Sequence, residues 1–140
     1  MLSQVRIIAL ISILSLGLFS CAAYKIGNAV KYKVKSGVST GTPVFRYEIT
    51  IKVKKATSFQ KIEMDSLTSV STFSVTNVYT NKQSNNSKEY KKGTYLLSFD
   101  TPINDKNKEL ENPIRVYFTQ GEKKVVEALE LVLIEDKQLR

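Results

Sequence analysis

Residues 44–55, VFRYEITIKVKK, alternate without a break: Phe45, Tyr47, Ile49, Ile51 and Val53 on one side, Arg46, Glu48, Thr50, Lys52 and Lys54 on the other. A period of two belongs to an extended strand, whose successive side chains point to opposite faces. An apolar row opposite a polar one predicts a strand half buried against a core. This segment therefore requires a sheet with one wet face, and with it a second layer of structure to cover the dry one.

Shorter segments of the same kind follow and precede it. Residues 30–35, VKYKVK, alternate Val30, Tyr32 and Val34 with Lys31, Lys33 and Lys35, so the apolar set is expected inward and the lysines outward. Gly37, Gly41 and Pro43 supply the turn between these two strands. Strands are also predicted at 59–67, at 71–80, at 94–99, where Tyr95, Leu97 and Phe99 share a face, and at 114–119, where Ile114, Val116 and Phe118 do. The polar stretches 81–93 and 100–113 read as exposed loops. Together these features predict an all-β domain over residues 30–140, an immunoglobulin-like antiparallel β-sandwich of about seven strands.

The segment 123–136, KKVVEALELVLIED, admits two periods. Val125, Val126, Leu129, Val132 and Leu133 fit a helical face, whereas Leu129, Leu131 and Leu133 line one face of a strand. The strand is preferred, because Gly121 supplies a hairpin turn to the strand before it.

The N-terminus is of another character. MLSQVR carries Arg6 and no acid, and residues 7–19, IIALISILSLGLF, are almost wholly apolar. A helix across a bilayer needs about 20 such residues, so this run has the length of a signal-peptide core instead. The only cysteine, Cys21, follows at once.

Leu18-Phe19-Ser20-Cys21 resembles the lipobox of bacterial membrane lipoproteins, with an apolar residue three places before the cysteine and a small residue directly before it. The resemblance implies that the signal helix, residues 1–20, is cleaved off, that the Cys21 sulfur receives a diacylglycerol, and that the new amine is acylated with a chain of the palmitate class. Residues 21–29 are then expected as a tether. Asp65-Ser66-Leu67 resembles the O-glycosylation acceptor of exported Bacteroidetes proteins. Ala22-Ala23 lack the acid that retains enterobacterial lipoproteins in the inner membrane. The expected location is the cell envelope, lipid-anchored in the outer membrane and facing the periplasm.

Composition narrows the chemistry. The chain has no histidine and no tryptophan, and an acylated Cys21 leaves no free thiol. Serine–histidine, cysteine–histidine and His- or Cys-ligated metal mechanisms are thereby closed. The net charge of +8 would suit nucleic acid, but an exported chain meets other anions, namely lipid headgroups and envelope polymers.

The remaining motifs carry little chemistry. Ser58-Phe59-Gln60-Lys61 matches S-x-x-K without its companion elements. Asp105 to Glu111 spaces oxygen ligands as a calcium loop does, but lacks the turn glycine. Glu63 and Asp65 share a strand face and could form an acid–base pair, although solvated carboxylates are the commoner outcome. Lys31, Lys33 and Lys35 with Lys52, Lys54 and Lys55 could form a basic face, or simply keep the sheet soluble.

The expected protein is therefore a membrane-anchored, non-catalytic binding or scaffolding module with no cofactor and no metal. Its expected partners are the membrane, through the lipid, and an envelope protein or anionic polymer, with no nucleic acid. The alternative is a periplasmic ligand carrier or inhibitor with a pocket between the sheets.

Overall fold

The computed structural model describes residues 23–34, 43–64, 68–103 and 113–134. Ten strands form there: β1 (Tyr24–Val34), β2 (Val44–Val53), β3 (Ser58–Glu63), β4 (Ser69–Val70), β5 (Ser74–Asn77), β6 (Gln83–Asn85), β7 (Gly93–Pro102), β8 (Ile114–Gln120), β9 (Lys123–Leu129) and β10 (Leu131–Leu133). One sheet has the order β10-β1-β2-β7-β5-β6 and the other β4-β3-β8-β9. All pairings are antiparallel except β1 with β10. The chain is an all-β sandwich.

Its core is the row read from the sequence. Tyr47, Ile49, Ile51 and Val53 of β2 are buried, together with Leu97 and Phe99 of β7 and Val116 and Phe118 of β8. Tyr47 stacks on Phe99 with ring centroids 4.7 Å apart, and Phe59 joins Phe118 and Tyr95 across the two sheets. The polar alternates of β2 emerge on the outer face.

β1 departs from its expected phase and extent. It begins at Tyr24, so most of the stretch expected as a tether is paired strand, opposite Val53 to Ile49 of β2. Ile26 faces Ile51 but Ala29 faces Ile49, so one extra residue is inserted at Gly27-Asn28. A bulge of this kind reverses the alternation beyond it. Gly27 suits the site because a Cβ there would lie 3.3 Å from the Thr50 carbonyl oxygen.

Lys31 consequently faces the core side, opposite Tyr47, and is buried, while Val30, Tyr32 and Val34 turn to the outer side, where Tyr32 and Val34 are nonetheless covered. Its ammonium sits 4.4 Å from the Phe45 ring centroid and 5.1 Å from that of Tyr47. The aliphatic stem fills apolar space and the charge rests on two ring faces. The basic face expected from Lys31, Lys33 and Lys35 with Lys52, Lys54 and Lys55 does not assemble among the described residues. Lys31 and Lys33 lie on the core side opposite Tyr47 and Phe45, Lys52 faces outward, Lys54 and Lys55 follow the opposite end of the strand pair, and Lys35 lies outside the described residues.

The C-terminal segment is strand, in two pieces. Gly121, at φ 63°, makes the β8–β9 hairpin. After Glu130 the chain leaves one sheet and joins the other, where Leu131 is buried and Val132 and Leu133 are about half exposed. Leu133 takes the same side as Leu131, beside Lys31 and Ala29 respectively, but is left half exposed, while Leu129 belongs to the other sheet.

The stretch 81–93 is not a free loop. It contains β6, and Tyr90 within it is buried, bridged to Thr57 by paired backbone bonds of 2.8 Å. Asn86 fastens it further: its Oδ1 accepts from Phe73 N at 2.9 Å, and its Nδ2 donates to the carbonyls of Phe59 and Ser71 at 3.1 and 2.9 Å. A single amide thus ties the two sheets together.

Candidate functional site

The outer face of the six-stranded sheet carries a groove of about 480 Å³. Strand register builds it in three rows that cross the sheet. The first runs from Tyr32 to Arg46 and Asp100, the second from Val30 through Glu48 and Ser98 to Ser74, and the third from Thr50 through Leu96 and Thr76 to Gln83. Each row exists because residues directly opposite in paired strands point to the same side.

One end of the groove is charged. Arg46 grips Asp100 with both arms of its guanidinium, Nε to Oδ1 at 2.8 Å and Nη2 to Oδ2 at 3.1 Å. The hydrogen bonds to Asp100 hold Arg46 still more firmly protonated than usual. Beside them the Tyr32 hydroxyl donates to Glu48. The other end is neutral: Ser74, Thr76 and Ser98 offer hydroxyls, and Gln83 Nε2 donates to Ser74 Oγ at 2.9 Å. Leu96 is the apolar patch of the floor. Such a surface suits a ligand rich in hydrogen-bonding groups, laid across the strands and oriented by the ion pair at one end.

Tyr32 also sets a pH dependence. Burial and the bond to Glu48 push its hydroxyl up to about 12, and at the other end of β1, on its core-facing side, a bond to Glu127 and burial do the same for Tyr24. An unfolded tyrosine ionises near 10, so the folded chain holds these protons more tightly. The stabilisation is intact below about pH 10 and is lost as pH rises through about 12. Denaturant titrations across that interval should fall steeply for the native chain. The double variant Tyr24→Phe, Tyr32→Phe should fall less steeply.

The remaining residues singled out in the sequence are spread apart. Cys21, with Leu18 to Ser20, lies outside the described residues, as do Asp65-Ser66-Leu67 and the Asp105 to Glu111 segment. Ser58 and Lys61 sit on β3, where Lys61 Nζ stands 4.4 Å from the Tyr117 ring centroid and 4.0 Å from Glu63. Glu63 also pairs with Arg115 at 3.5 Å and accepts from the Tyr117 hydroxyl at 3.3 Å. These contacts use Glu63 to hold β3 against β8.

Sequence reading did not find the groove. Most of its residues are ordinary outward alternates on β2, β5, β6 and β7; the outer faces of β2 and β7 were legible in advance, but not which strands would lie beside them. No protein-family model, curated protein or solved structure matches the chain.

Proposed function

We propose that the chain is a lipid-anchored lipoprotein of the bacterial cell envelope, attached through Cys21, whose non-catalytic β-sandwich binds another envelope component. The binding surface is the groove across the outer face of the six-stranded sheet. The observation that carries this is the set of three hydrogen-bonding rows, fixed on a rigid sheet and ending in the Arg46–Asp100 pair. The lipobox, with the short apolar segment before it, supports the anchor and an outer-membrane, periplasm-facing location. The order β1-β2-β7-β5 facing β4-β3-β8-β9 supports an immunoglobulin-like sandwich, in which the first, second, fifth and fourth principal strands face the others.

The space between the sheets is taken up by Tyr47, Phe59, Phe99 and Phe118. This favours binding on an outer surface over a carrier that encloses its ligand between the sheets.

Two measurements on the protein in its own envelope test the proposal. Mass spectrometry should find a mature chain beginning at acylated Cys21; an unmodified thiol or a retained Leu18 rejects the anchor. A photo-crosslinking residue at Thr76, in the groove, should capture a component that the same residue at Val126, exposed on the other sheet, does not. Ser98→Arg should abolish that capture by filling the groove. Equal capture at both positions, or capture indifferent to Ser98→Arg, rejects the groove as the binding surface.

A further inference from the structure

The chain enters the sandwich at the end where β2 finishes and β8 turns into β9. The Ala23 carbonyl accepts from Lys54 N at 2.9 Å and from Gln120 Nε2 at 3.1 Å. Gln120 Nε2 also donates to the buried Thr57 hydroxyl at 3.1 Å, so the first described residue is stitched to two neighbouring connections. Cys21 stands two residues earlier, and two residues reach at most about 7 Å however they run. This is shorter than the screening length of about 8 Å at physiological salt.

Around that point the connections are basic. Lys54 and Lys55 follow β2, Lys91 and Lys92 precede Gly93, which pairs with Val53, and Lys123 and Lys124 open β9. All six are exposed, and none takes part in an ion pair among the described residues. The acids close by in these turns are Glu89 and Glu122. Charges that merely guard an edge strand lie along it, whereas these converge from three separate connections on the point of chain entry.

The β5–β6 turn projects from the same end, since Val78 N donates to the Thr94 carbonyl at the start of β7. It holds Val78 and Tyr79 in water, 46% and 82% exposed. The turn is built to keep them there: Asn77 Oδ1 accepts from Tyr79 N at 2.9 Å and Thr80 N at 3.1 Å, and Asn81 takes the left-handed conformation at φ 57°. A fixed, exposed tyrosine beside a valine and a ring of lysines matches the interfacial zone of a bilayer, where tyrosine settles at the headgroup level and lysines meet phosphates.

We infer that this end of the sandwich is a docking surface for an anionic lipid bilayer, with the lysines on the headgroups and Tyr79 at the interface. Its orientation rests on the anchor proposed at Cys21; its chemistry does not. Docked this way, the sandwich stands end-on against the membrane, and the groove on its sheet face stays open to the periplasm.

The chain has no tryptophan, so Tyr79→Trp gives a single indole emitter within the proposed contact. The full-length variant, made in a bacterial envelope and purified, is reconstituted into vesicles of phosphatidylcholine alone or mixed with phosphatidylglycerol. The indole emission should shift to the blue and be quenched by brominated lipid in the anionic vesicles only. Salt at about 1 M, which shortens screening to about 3 Å, should reverse the effect. Adding Lys54→Gln, Lys55→Gln, Lys123→Gln and Lys124→Gln should lower the docked fraction relative to the undocked at least about tenfold. The same emission in both vesicle types, or no response to the four substitutions, overturns the docking surface. So does an equal shift with soluble polyphosphate and no vesicles, which would assign the lysines to an anionic polymer. The mass of the same sample reports the anchor separately. Acylated Cys21 with unshifted emission rejects the surface alone, and a bare thiol with shifted emission rejects the anchor alone.

Discussion

Ile49→Ala lowers the unfolding free energy by about 2–5 kcal/mol, the range for truncating a buried isoleucine in a core that only partly collapses. Ile49 is completely buried at the middle of β2, opposite Ala29 on one side and Leu97 on the other. Neither neighbour can move in to fill the space without breaking a ladder. The adjacent Thr50 faces outward, and Thr50→Ala should change stability by no more than about 0.5 kcal/mol. Urea titrations of the two variants test the register of β2; equal losses would contradict it, and a larger loss for Thr50→Ala would mean that its two faces are exchanged.

Tyr90→Ala should cost about 3–5 kcal/mol, the range for deleting a large aromatic ring. The ring lies 5.1 Å from Tyr95 and 5.7 Å from Phe59, so it contacts a strand of each sheet. Its hydroxyl meets Ser84 Oγ at 2.6 Å and donates to the Asn85 carbonyl. Tyr90→Phe keeps the ring and loses those bonds, at a cost of about 1 kcal/mol. Thermal or urea unfolding of the pair separates packing from hydrogen bonding. A loss under about 1 kcal/mol for the alanine variant would return 81–93 to the status of a loop.

Both predictions bear on function through rigidity. The groove draws Ser74 and Thr76 from β5 and Gln83 from β6, the two strands farthest from β1 in their sheet. Without the Tyr90 and Asn86 anchors, those strands would be tied to the rest by the pairing of β5 with β7 and by the burial of Phe73 and Val75 alone, with β6 held only through β5. Loosening them would dissolve one end of the three rows before the core itself failed.

Where apolar residues alternate with charged ones over ten positions, the sequence alone determined the outcome. β2 forms, buries Phe45 to Val53 on one face, and demands a second sheet, because only that face choice removes five large side chains from water at once. The inward residues of β7 and β8 were legible for the same reason, and Gly121 announced its hairpin. The tertiary structure decided the rest. One inserted residue at Gly27-Asn28 reversed β1, and the covering of Lys31 by Phe45 and Tyr47 is visible only once β2 lies beside it. Tyr90 is a lone ring in a polar stretch, and its burial depends on Phe59 and Tyr95, which reach it from two different sheets. The groove and the basic end are likewise products of register and of connections meeting in space. A local pattern records which face of a strand is dry; it holds no record of which distant strands will share that face.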